Sequence, residues 1–424
     1  MLRRDFIRLL GSGLALAPHF GRSAEPGPHG KLILSAPLTH SDWMLKPGIA
    51  WGPAGVRHML DACKECGWSR VYWRVLDGGR SLYQSKLMKP MGKWDEDSFW
   101  SPKSEPDKAL ARRFTANLTD ARRKELLARF DELDYSKFDP FAEAVRYGHE
   151  IGLQIHAWVS INEDDHGWGL KSDFSTQHPE FRWVGRGGKA YHSQLSFAYS
   201  EVREYKLSIL RELLANYKLD GLFLDWIRTG DVRDNPQNDK DGVANYGYEK
   251  PLAGLFKVKF GKPAETVPNG DDSWVRVRAQ PQTLFMRGAR ELARKQNVPL
   301  SVMVGHPWHY RGEVNKIDGN LRGLLLDVNT WAKEGLMDSV VAAGYYRDRG
   351  NAVLAWEALK KETEGKVDVW TYAWVPSNVA EVELSVSTAN KVGAKQILFW
   401  EADYIDDRAN AAELKPAMKK IASG

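Results

Sequence analysis

The chain has only two cysteines in 424 residues, Cys63 and Cys66, which excludes a disulfide framework and a four-cysteine zinc site. Both lie in PAGVRHMLDACKECGW, an amphipathic pattern that reads as a helix ending at Gly67, where cysteine serves as a small buried hydrophobe. No apolar run approaches the ~20 residues of a membrane-spanning helix. Also missing are a P-loop, a G-x-G-x-x-G after a strand, a G-x-S-x-G elbow, an H-E-x-x-H helix and an H-x-H on the first strand. Those absences remove the usual marks of nucleotide, serine-hydrolase and zinc-hydrolase chemistry. No metal and no cofactor is expected. Charge of one sign is scarce as well: 60 basic residues face 55 acidic ones, for a net charge of +5.

Much of that small excess sits at the N-terminus. Arg3 and Arg4 precede a short, weakly apolar stretch (Leu9, Leu10, Leu14, Ala15, Leu16, Ala17) broken by Gly11 and Gly13, a pattern that looks like a bacterial twin-arginine export signal over residues 1–24. The segment holds four arginines against one aspartate, so the remainder carries a net charge of only +2. A nucleic-acid partner is therefore not expected. With no cysteine near the end of the segment, neither is a membrane anchor. The expected location is periplasmic or secreted.

What is present is the composition of a globular protein, 43% hydrophobic and 27% charged. Residues 25–424 read as a single barrel domain. Eight nearly continuous apolar runs suggest strands covered on both faces: 32–36, 70–75, 153–159, 221–226, 300–304, 339–343, 368–372 and 396–400. Amphipathic stretches at 53–66, 140–151, 202–217, 282–295, 324–333, 352–362, 379–391 and 408–421 suggest the intervening helices. Eight such units predict an α/β fold, a (β/α)8 TIM barrel, with long βα-loop insertions at about 76–135, 161–200 and 228–274.

In a TIM barrel the C-terminal strand ends carry the chemistry. DGLFLDWIR ends its apolar run at Asp225, and the last strand runs into Glu401 and Asp403. Glycoside cleavage needs two carboxyl groups flanking the bond, so Asp225 is the expected nucleophile or base and Glu401 the expected acid. Glu163, Asp164 and Asp165 after the third strand, Glu313 beyond the fifth and Asp348 after the sixth are further candidate acids. Aromatics make up 11% of the chain, with 17 tryptophans. Many fall at strand ends: Trp73, Trp158, Trp226, Tyr345, Tyr346, Tyr372, Trp374 and Trp400. Flat rings stack on the C–H faces of sugars. His156, Trp158, Arg228, His306, Tyr346 and Trp374 are the expected sugar-binding residues.

The run IHAWVSIN, then HPEF, then VREYKLSILRELLANYKLDGLFLDW, together with LDVNTWAKEGLMDSVVAAGYY, resembles the glycosyl hydrolase-like family 10 barrels. The resemblance implies a bacterial glycosidase distantly similar to the α-amylases, with Asp225 in the catalytic position of strand 4. Trp226 stands where members often place a second acid, and Ile227–Arg228 replaces their Tyr-Pro. The expected function is an exported glycoside hydrolase acting on a polysaccharide or oligosaccharide. Two rivals use the same residues: a non-catalytic carbohydrate-binding barrel, and a metal-dependent hydrolase or lyase built on His156, His306 and Asp225.

Overall fold

A computed structural model describes residues 32–38, 49–91, 119–164, 172–225, 227, 245–305, 319–343, 349–400, 405–406 and 408–423. Eight parallel strands close into a barrel in chain order: β1 (Ile33–Leu38), β2 (Arg70–Arg74), β3 (Gln154–Ser160), β4 (Gly221–Asp225), β5 (Leu300–Gly305), β6 (Ser339–Ala343), β7 (Asp368–Trp374) and β8 (Gln396–Trp400). β8 returns to β1 with Ile33 opposite Gln396. This is the expected TIM barrel.

The helices are α1 (Pro53–Glu65), α2 (Asp120–Glu132), α3 (Pro140–Glu150), α4 (Ser200–Asn216), α5 (Lys250–Phe260), α6 (Asp272–Lys295), α7 (Gly319–Leu324), α8 (Val328–Lys333), α9 (Arg349–Glu362), α10 (Val379–Val392) and α11 (Ala411–Ser423). Several begin on side-chain caps that satisfy otherwise orphaned N–H groups. Asp139 accepts from Phe141 and Ala142 ahead of α3, and Asn378 accepts from Glu381 in α10. α6 starts ten residues before the apolar pattern suggested and runs through Pro281. Asp271 caps it, and Trp274, Val275 and Val277 bury its first turns, which outweighs the proline penalty. The expected 324–333 helix instead divides in two, because Leu325 adopts a left-handed φ of 59° and Asp327 caps a new start. Cys63 and Cys66 are buried in the layer between helices and barrel and form no disulfide. Trp73 also faces that layer, fully buried, rather than the barrel mouth.

The barrel interior is a separate core of Tyr72, Trp158, Phe223, Met303, Val341, Trp370, Tyr372 and Leu398. Strand alternation sends every second side chain inward, and here those positions are largely aromatic. Tyr72 lies 4.4 Å from Phe223 and 5.8 Å from Trp370, centroid to centroid. Below them the barrel base is polar. Arg70 donates to Gln154 and Gln396, and Gln396 donates to Ser35 and the Tyr72 hydroxyl at 2.8 and 2.7 Å. Ser339 donates to Ser301 at 2.9 Å. Among the described residues no helix is long and apolar enough to cross a membrane.

Candidate active site

β4 delivers Asp225. Gly221, Phe223 and Asp225 share one face of the strand by alternation, and Phe223 belongs to the interior core, so the Asp225 carboxylate faces inward at the C-terminal mouth, 2% exposed. Its ladder partner is Ser160, the last residue of β3, and the Asp225 carbonyl accepts from Ile161 at 2.9 Å.

The floor beneath the mouth is aromatic. Trp158 packs edge-on against Trp400 at 5.1 Å, and Tyr372 stacks with Trp400 at 5.9 Å. Trp374 pairs with Trp400 across the β7–β8 ladder and is half-buried. Of the expected sugar-binding residues the structure thus brings Trp158 and Trp374 to one surface. His156 lies two residues deeper on β3, its ring 5.2 Å from Tyr72. It fills space that any side chain on Gly221 would take, since a Cβ there would come within 2.3 Å of the ring. Burial holds its imidazole well below the usual histidine range, with the Arg70 charge adding to the effect. Neither ring nitrogen has a hydrogen-bond partner among the described residues.

Glu163 and Asp164, which follow β3, are tied to cations. Glu163 accepts from Arg74, and their side chains are 0% and 9% exposed. Arg74 also pairs with Asp77 at 3.2 Å and sits over the Trp158 ring at 5.0 Å. Asp164 takes Lys206 of α4 with both oxygens at 2.8 Å, and this pair too is buried. Buried charges of this kind are tolerated only when paired. Asp77 and Arg80 flank a tight hairpin whose two turn residues, Gly78 and Gly79, have φ of 52° and 75°, a conformation that glycine adopts without penalty.

Arg74 and Lys206 were not among the expected site residues. Arg74 had a visible signal, a charged residue closing an apolar strand in the same way as Asp225 does. Lys206 had none, being one lysine in a helix of mixed charge. Glu401, Arg228, His306 and Tyr346 lie outside the described residues, as do Asp165, Glu313, Asp348, Trp226 and Tyr345. Among the described residues no group of three or more histidine, cysteine or acidic side chains is arranged to hold a metal.

No family model matches the sequence, so the resemblance drawn above rests on the quoted motifs alone. No curated protein matches it either. Solved structures do share the fold. The glycoside hydrolase domain of PgaB (BpsB) from Bordetella bronchiseptica superposes with a TM-score of 0.55 at 12% identity, over 92% of this chain and 98% of that one. The β-amylase catalytic domain from Paenibacillus polymyxa gives 0.54 at 13% identity, over 91% and 94%. A β-galactosidase from the psychrophilic Marinomonas ef1 gives 0.52 at 11%, covering 92% of this chain and 59% of the other.

Proposed function

We propose that the chain is an exported glycoside hydrolase that cleaves a polysaccharide or oligosaccharide, with Asp225 as nucleophile or base and Glu401 as acid. The observation that carries this reading is a buried strand-end carboxylate, Asp225, set beside an aromatic floor of Trp158, Tyr372, Trp374 and Trp400. Such rings bind sugar faces, and a carboxylate beside them is half of the two-carboxyl apparatus of glycoside cleavage. Glu163 and Asp164 are engaged by Arg74 and Lys206; Glu401, which follows Trp400 directly in sequence, is the proposed second carboxylate, with Asp348 the alternative. Arg228, His306 and Tyr346, which follow β4, β5 and β6 in sequence, complete the sugar site with Trp158 and Trp374, while His156 supports the floor from beneath. The glycoside hydrolases that share the fold support the assignment of reaction class.

The test is reducing-end release across neutral, sulfated and uronate polysaccharides and peptidoglycan, comparing the parent with Asp225→Asn, Glu401→Gln and Glu163→Gln. Release by the parent that is lost in both Asp225→Asn and Glu401→Gln is the expected result. Glycan binding without release would favour the non-catalytic barrel. Loss of activity on chelation, restored by a divalent metal, would favour the metal-dependent class.

A further inference from the structure

The insertion after β4 builds a small structure of its own. Leu252 and Phe256 of α5 are buried with Tyr248, Ala264, Val267, Trp274 and Val277 in a core separate from the barrel, and Phe256 packs against Trp274 at 5.2 Å. The first two turns of α5 are thus fixed on a rigid mount. The last turn is covered on one side only, where Phe260 packs on Phe256 at 4.7 Å. Val258 is 85% exposed and Phe260 38%, and Lys257, Lys259, Gly261 and Lys262 around them are exposed as well. From Lys250 to Ala264 the sequence holds four lysines and no acid. Single exposed apolar side chains are ordinary on a protein surface. Here, however, the most exposed large apolar residue of those described stands between two lysines at the tip of an ordered helix.

We propose that this tip, Lys257–Lys262, docks on an anionic lipid surface. Lysines ringing an aliphatic side chain suit a bilayer interface: the ammonium groups meet the lipid phosphates while Val258 enters the headgroup–acyl boundary. Charge complementarity commits the tip to a negative surface. The aliphatic, hydrogen-bond-free Val258 at its apex favours lipid over an anionic polysaccharide, which would call for flat rings and polar partners for its hydroxyls. The mount makes docking inexpensive in entropy, because the segment is ordered beforehand. Since α5 belongs to the βα segment that follows Asp225, docking concerns the chain's C-terminal barrel face.

The full chain is tested by co-sedimentation with phosphatidylcholine vesicles that contain phosphatidylglycerol, against vesicles of phosphatidylcholine alone. The parent is expected to partition onto the anionic vesicles. The triple variant Lys257→Ser, Lys259→Ser, Lys262→Ser is expected to lose about 100-fold in partitioning, given roughly five-fold per lysine near an anionic surface. Val258→Asp is expected to lose about ten-fold from the same interface. Because the basic N-terminal segment is common to every variant, the difference between variants isolates α5. Substitutions at these exposed positions leave the fold intact by circular dichroism. As a second readout, Val258→Cys carries an environment-sensitive dye, the two native cysteines being buried, and its emission shifts to the blue on anionic vesicles alone. Variants that sediment like the parent, or a dye that does not respond, overturn the proposal. So does loss of binding to a soluble anionic polysaccharide with vesicle binding unchanged, which assigns the tip to glycan. A dimer broken by Val258→Asp without any vesicle effect overturns it in favour of a second copy.

Discussion

The two ends of the barrel bore are built on opposite principles. At the base, each polar group of the Gln396 amide is used: its oxygen accepts from Arg70, and its nitrogen donates to both Ser35 and Tyr72. Ser35 in turn donates to the Ile397 carbonyl at 3.0 Å. Both donors of the Gln396 amide are engaged, and its oxygen is held by the Arg70 guanidinium. At the mouth the interior turns to broad rings, and the Asp225 carboxylate stands buried at the end of its strand. Satisfied polarity at one end stabilises the closed sheet, while the other end carries buried and half-buried rings and a strand-end carboxylate. Arg74–Glu163 and Lys206–Asp164 lie between these extremes. They are closed pairs at the mouth, and they fix the loop that leaves β3.

The difference can be broken by substitution. Asp225→Asn is expected to lower glycan hydrolysis by about 10²–10⁴-fold, the usual loss for a carboxylate acting in proton transfer, while urea unfolding stays within about 1 kcal/mol of the parent. Lys206→Met leaves Asp164 buried without its cation and is expected to lose about 3–5 kcal/mol of stability. The double variant Lys206→Met, Asp164→Leu recovers most of that in the same urea titration. At the base, Gln396→Leu deprives Arg70, Ser35 and Tyr72 of partners, for a loss of about 1–3 kcal/mol with hydrolysis per folded molecule unchanged.

The last effect is a pH dependence at the rim. Glu249, at the start of α5, accepts from the Val184 N–H at 3.0 Å, and burial raises its carboxyl from 4.5 to about 7. A folded-state value above the unfolded one means stability is complete below pH 4.5 and declines as pH rises through about 7. Thermal unfolding between those limits should show that slope in the parent and a flatter line in Glu249→Gln.

The fold was legible because barrel strands buried on both faces write themselves as continuous apolar runs, and all eight stand where those runs were read. Asp225 was legible for the same reason: a carboxylate that ends such a run has one place to go. Trp73 misled because period-two alternation, not mere proximity to a strand end, decides whether a ring enters the bore, and its parity points outward. His156 misled similarly in depth, since it shares the inward face with Trp158 but lies one layer lower. The Lys206–Asp164 pair joins a helix to a loop more than forty residues away in sequence, and no local pattern encodes such a partner. α5 hid within a stretch dominated by Asp, Asn, Gly and Lys, because its core comes from Trp274 and Val277, beyond its own sequence.

The division between a stabilising base and a working mouth is tested most directly by measuring Asp225→Asn and Gln396→Leu together, each for reducing-end release from the best polysaccharide and for unfolding free energy. The account predicts that the two variants cross, Asp225→Asn losing hydrolysis at near-parent stability and Gln396→Leu losing stability at near-parent hydrolysis per folded molecule. Parent-level hydrolysis by a folded Asp225→Asn would contradict it.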